Sequence, residues 1–180
     1  MSITEAEPWL RGTHSEIDPL QRAVIHALEL AEEDTAKWCG GLTDDQLNAR
    51  PFGLAPVAFH LRHIARSLDR LLSYAEGQQL DATQKTALKS ELDEGATRNA
   101  VMAEFSTAIQ SSKIRIRAFS PQQYNDERGV GRAALPTTVA GLLIHCADHT
   151  QRHVGQAITT AKVVFGLPDA INNLGEQNEE

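Results

Sequence analysis

The sequence predicts an all-α protein, a four-helix bundle with long connections. Three observations carry that expectation. Four long segments repeat their apolar residues every three or four positions. No segment alternates with period two over a convincing length, and no strand–helix–strand rhythm appears. Finally, 180 residues with 41% hydrophobic and 23% charged side chains suit one domain with a sizeable core.

The first long helix is expected over about residues 16–38, where Ile17, Leu20, Val24, Ala27, Leu28, Ala31, Thr35 and Trp38 form one stripe. Ser15 is its expected N-cap, and Gly40-Gly41 stops it. Thr43 and Gln46 are spaced as a capping box for a short helix that ends before Pro51. A loop, PFGLAP, leads into the second long helix, about 56–76, with Val57, Leu61, Ile64, Leu68, Leu71 and Leu72 inward and Gly77 as the stop. The third periodic segment, about 84–118, carries Met102, Phe105, Ile109, Ile116 and Phe119, and Gly95 can divide it in two. Residues 120–136 are rich in turn formers, and a connection of that length is often functional. The fourth long helix is expected over about 137–165, capped by Thr137 or Thr138 and ended by Gly166 and Pro168. One domain over 1–171 and a polar tail over 172–180 complete the expected organisation.

Composition narrows the function. A net charge of −7 and 5% aromatic residues argue against a nucleic-acid surface, and KIRIR at 113–117 is too short to offset the acidic total. The N-terminal residues lack the pattern of a secretory signal, and no apolar stretch is long enough for a membrane span. Two cysteines far apart, Cys39 and Cys146, read as free thiols in a reducing cytoplasm rather than a disulfide framework. GVGRAA at 129–134 does not follow a strand, so it is no phosphate loop.

Five of the seven histidines fall into two clusters: His60 and His63 on the second long helix, and His145, His149 and His153 on the fourth. Residues four apart on a helix face nearly the same way, about 40° offset and one turn higher. His149 and His153 can therefore reach one metal ion from adjacent turns. The spacing resembles helical zinc sites, but Thr150 stands where HExxH has its glutamate. A third ligand must come from another element. His63 is the first candidate and His60, about 60° around the same helix, the alternative. Three imidazoles leave coordination positions open for water or substrate. His145 is an outer partner, an alternative ligand or a helix-face residue. Cys146 reads as a small core residue rather than a ligand. Arg128 and Arg132 in the long loop, and Arg152 between the histidines, are candidates for binding an anionic group. Arg62, Arg66, Asp69 and Arg70 read as a solvated or inter-helix ion-pair face.

HLRHIARSLDRLL followed by HCADHTQRHVGQAI resembles the DinB-like superfamily of metal-binding four-helix bundles. His63 matches that family's ligand on the second helix, and His149 and His153 match its H-x-x-x-H pair, with Gly155-Gln156 following. The resemblance runs over roughly residues 16–165 in helix order, and its specific part is those two motifs. It implies a divalent-metal site, zinc or nickel, and homodimers. It further implies kinship with bacillithiol S-transferases and mycothiol-dependent maleylpyruvate isomerase, in which the metal favours the thiolate of a low-molecular-weight thiol. The resulting expectation is a metal-dependent thiol transferase acting on a small molecule. The alternative is a metal-stabilised bundle without catalysis. His60 and His145 depart from the family pattern and leave open which histidine of each helix holds the ion.

Overall fold

The computed structural model describes the backbone of residues 6–176 and the side chains of residues 6–166. Its long helices are α1 (Pro19–Cys39), α3 (Val57–Ala75), α5 (Arg98–Arg117) and α6 (Val139–Glu176), with shorter α2 (Asp44–Asn48) and α4 (Ala82–Lys89) in the connections. Among the described residues no helix is long and apolar enough to cross a membrane.

Helix α1 begins at Pro19, not near Glu16, and its cap is Asp18 rather than Ser15. Proline fixes its own φ and disfavours the helical region for the residue before it, and Asp18, at ψ 143°, is extended, so the helix starts at Pro19. The Asp18 carboxylate accepts from the Leu20 amide at 2.9 Å and from the Tyr124 hydroxyl at 2.8 Å. The capping box of Thr43 and Gln46 forms as expected at α2. At the end of α3 the Gly77 amide donates to the Tyr74 carbonyl and the Gln78 amide to the Ser73 carbonyl. This is the Schellman arrangement, and it places Gly77 at φ +78°. Gly77→Ala is expected to cost about 1 kcal/mol and lower Tm by roughly 2–4 °C, read by calorimetry. An unchanged Tm would mean that the left-handed turn does not hold the helix end.

The third periodic segment divides, with Gly95 at φ +78° between α4 and α5 and Thr97 capping α5. Two expectations need correction. The long connection is not a loop throughout: Glu127–Val130 (β1) pairs antiparallel with Leu135–Thr138 (β2). Each strand has four residues, and Gly129 pairs with Pro136, so no apolar alternation marks them. Helix α6, capped by the Thr138 hydroxyl on the Gly141 amide at 3.1 Å, runs through Gly166 and Pro168 to Glu176. Glycine permits a stop without enforcing one, and proline removes one donor without unwinding the turns around it. The tail expected over 172–180 is helical to Glu176, and its last four residues lie outside the described residues.

The inward stripes meet in one core that includes Leu28, Leu61, Ile64, Leu68, Phe105, Ile109 and Leu143, none more than 1% exposed. Around it the helices form a ring in which α6 packs on α1 and α3, and α5 on α3 and α1. Helices α1 and α3, consecutive in the chain among the long helices, are therefore diagonal. Side-chain pairs fix the directions. Gln151 Nε2 donates to the Ala27 carbonyl and Lys162 lies over Trp38, so α1 and α6 are parallel. Arg66 bonds Glu104 and Arg115 bonds both Asp69 and Glu76, so α3 and α5 are parallel too. Gln21 reaches the Ile116 and Phe119 carbonyls, which makes α1 and α5 antiparallel. The bundle is thus up-down-down-up. Parallel neighbours α3 and α5 need a chain return, which the α4 segment supplies along the outside of α3.

Candidate metal centre

Helices α3 and α6 run antiparallel, as His60 facing His153 and His63 facing His149 require. The first two turns of α3 therefore lie against the stretch of α6 around residues 149–153. One ring nitrogen from each of His63, His149 and His153 lies within 4.8 Å of the other two. His63 Nε2 and His149 Nε2 are 3.1 Å apart. Ligands on a tetrahedral zinc with Zn–N bonds near 2.0–2.1 Å are separated by about 3.3 Å. The three imidazoles thus fit a divalent cation of the zinc or nickel type in donor chemistry and in spacing.

His60 is not among the three. Its ring is buried and its Nδ1 lies 3.1 Å from Nδ1 of His153. It stands behind a ligand candidate rather than beside it. His145 is exposed on α6, with Nδ1 3.7 Å from the Asp148 carboxylate, and belongs to no close group with the other three. Phe59 stacks on the His63 ring at 5.3 Å and meets His60 edge-on at 5.2 Å, fixing both rings on the α3 side.

Electrostatics favour free lone pairs. Burial, then the neighbouring His153 and His63, pushes His60 down to about 4. Burial, then His153, His63, His145 and Arg152, pushes His149 down to about 4. Burial together with His63 and Arg152 also lowers His153. Imidazoles that stay neutral at physiological pH are the form that ligates metal.

Sequence reasoning missed Glu91. It follows α4 in the return segment, is 6% exposed, and its Oε2 lies 2.7 Å from His63 Nδ1. Its other oxygen, Oε1, accepts from Arg70 at 2.7 Å, and Arg70 also donates to the Ser67 hydroxyl at 2.9 Å. Burial alone would raise the Glu91 carboxyl, but the hydrogen bonds from His63 and Arg70 outweigh it and hold it low. Nothing in KSELDEG distinguishes Glu91 from Asp93 or Glu94. Only the return of the chain along α3 selects it.

A pocket of about 370 Å³ lies on the His60 side of the cluster, lined by Leu54, Ala55, His60, Arg152, Gln156 and Thr160 among others and by none of the three ligand candidates. Arg152 is exposed and pairs with Asp148 at 2.6 Å, so it stands at the mouth of this pocket. The other two arginine candidates are elsewhere. Arg128 donates Nε to the Ala75 carbonyl at 2.8 Å, twelve residues and roughly 18 Å along α3 from His63. Arg132 lies in the turn of the same hairpin, between β1 and β2. The hairpin packs at the C-terminal end of α3, so neither reaches the histidines. Arg66 and Asp69 do not pair with each other as neighbours. They bridge to α5 through Glu104 and Arg115.

Both cysteines are buried and free. Burial pushes the Cys39 thiol to about 11 and the Cys146 thiol to about 12, so neither supplies a thiolate near neutral pH. A second histidine group, His14, His26 and Glu29, also has ligand atoms within 4.8 Å. There Arg117 lies 2.6 Å from His14 Nδ1 and Glu29 lies 2.8 Å from His14 Nε2. An arginine only donates, so His14 accepts at Nδ1 and carries its proton at Nε2, where a metal would need the lone pair. This group is a hydrogen-bonded clamp between the N-terminal segment, α1 and α5.

A model of the DinB superfamily matches residues 27–157 of the chain. The match spans the histidines of both helices. A crystal structure of a conserved protein from Enterococcus faecalis superposes with a TM-score of 0.69 at 18% identity, covering 83% of this chain and 99% of that one. At that identity the likeness concerns the fold. No curated protein matches.

Proposed function

The chain belongs to the DinB superfamily, and from that premise we propose that it is a metal-dependent enzyme that transfers a low-molecular-weight thiol to an electrophilic small molecule. His63, His149 and His153 hold the ion, zinc or nickel. The observation that carries the reading is the convergence of three imidazole nitrogens within 4.8 Å; a pocket of about 370 Å³ adjoins the cluster through His60 and Arg152. A bound divalent cation lowers the pKa of a thiol at its open position, so the nucleophilic thiolate exists near neutral pH.

The chain's own residues do the rest. The neutral imidazoles of His149 and His153 present lone pairs without first losing a proton. Leu54 and Ala55 give the pocket an apolar wall that sheds water from a bound hydrocarbon portion. Arg152 offers a guanidinium to a carboxylate or phosphate carried by the thiol or its acceptor. Cys39 and Cys146 are buried, so the thiol comes from solution.

The test is a conjugation assay of the zinc- and nickel-loaded protein with glutathione, bacillithiol and mycothiol against a chromogenic aryl halide. Turnover with one thiol, lost in His149→Ala, is the expected result. A metal-loaded protein inert with all three would retire the transferase reading. The second reading, a metal-tied bundle without catalysis, is favoured by one fact: His63 and His149 sit on different helices, so an ion would clamp α3 to α6. Its signature is a large fall in Tm on chelation with no turnover. The family resemblance also carries a homodimer, which sedimentation equilibrium would read.

A further inference from the structure

The carboxylate of Glu91 is held on both sides. Oε1 takes a hydrogen bond from Arg70 and Oε2 faces His63 Nδ1. Arg70 is itself tied to Ser67 one turn before it on α3. An ionised carboxylate only accepts, so a neutral His63 ring must carry its hydrogen at Nδ1. That leaves the Nε2 lone pair facing His149 Nε2, 3.1 Å away. Arg70 offsets the charge of Glu91, so the pair adds little net field at the site. What remains is orientation and tautomer.

We infer that Glu91 is a positioning residue that locks His63 in the tautomer with Nε2 free for a metal ion, acting as the outer member of a carboxylate–imidazole–metal chain anchored by Arg70. The inference rests on the metal reading above, and its test can fail independently of it. His60 stands in the corresponding place behind His153, with Nδ1 facing Nδ1 at 3.1 Å. Two of the three ligand candidates thus have a partner at Nδ1 that lies outside the trio. Glu91 is the informative one, because a carboxylate admits only one tautomer in its partner.

Glu91→Gln changes one atom and reverses that logic. A glutamine has one acceptor oxygen and one donor amide. Arg70 claims the oxygen, which turns the amide N–H toward His63 Nδ1. The imidazole must then accept at Nδ1 and carry its proton at Nε2, where it blocks the ion. Removing the claim of Arg70, in Glu91→Gln/Arg70→Met, frees the amide to turn its oxygen back to His63.

The experiment has two arms. Zinc affinity is measured by competition with a chromophoric chelator for wild type, the single variant and the double variant, with circular dichroism verifying the fold. The single variant is expected to bind zinc about 10–100-fold more weakly, and the double variant more tightly than the single. A residue that merely supports the fold would give the reverse order, because the second substitution removes further bonds. In the second arm, nitrogen-15 NMR of the metal-free protein at pH 8.5 reads the His63 tautomer. The expected result is Nδ1–H in wild type and Nε2–H in Glu91→Gln. Nε2–H in the wild type, zinc affinity unchanged in Glu91→Gln, or a double variant weaker than the single would each overturn the inference. If the wild type takes up no zinc, the metal reading falls, and the tautomer arm still decides what Glu91 does to His63.

Discussion

Purified without a histidine tag, the protein is expected to carry about one divalent ion per chain, and His149→Ala almost none, by elemental mass spectrometry. The size of the effect follows from the donor count. Three imidazoles converge, and deleting one leaves two, from His63 and His153. No neighbour can replace it: His145 is one turn earlier but exposed and turned toward Asp148, and His60 is engaged with His153. The loss should exceed the 10–100-fold typical of an outer partner. His145→Ala is the control and should retain the ion. Metal retained in His149→Ala but lost in His145→Ala would mean that α6 supplies His145 rather than His149 as a ligand. Metal absent from the wild type, even after incubation with zinc and nickel, would remove both metal readings.

The metal-free protein is expected to lose stability steadily as pH falls from about 6.5 to about 4. Unfolded, a histidine titrates near 6.5. Folded, His60 and His149 are held down to about 4 by burial and by neighbouring imidazoles. In that window the unfolded chain binds protons that the native chain does not, so stability rises with pH and is lost on acidification. Glu91 acts in the same direction at lower pH, because its folded carboxyl is held below its ordinary value. The rings are partly solvated and close to one another, so their effects overlap, and a fall of roughly 5 °C in Tm between pH 7 and pH 5 is the expected scale. Scanning calorimetry in the presence of chelator measures it. A Tm that is flat over that range, or a slope unchanged in His149→Ala, would mean that these imidazoles are as free to protonate in the native state as in the unfolded one. The same proton uptake should compete with metal, so a loaded sample releases its ion in acid.

By itself the sequence determined the helices and half of the candidate site. Periodic apolar residues, the Thr43–Gln46 box, a threonine cap at 137 or 138 and the Gly77 stop are local signals, and each acts through neighbours within a turn or two of chain. The pairing of His149 with His153 is local in the same sense, because an interval of four fixes their common direction. The strands of the hairpin were beyond such signals, since four residues with Gly129 opposite Pro136 carry no alternation. The end of α6 is beyond them too, because glycine and proline weaken a helix without being obliged to end it. The tertiary structure alone decided the rest. The up-down-down-up order, with α1 and α3 diagonal, comes from long-range packing that no local pattern encodes. His60 and His63 differ by about 60° around α3, and only the approach of α6 sets His63 beside His149 and His60 behind His153. Arg128 and Arg132 leave the site because their hairpin docks at the far end of α3. Glu91 enters it because parallel α3 and α5 force the chain back along the bundle, and that return carries a carboxylate, otherwise like its acidic neighbours, to the one ring nitrogen that needs it.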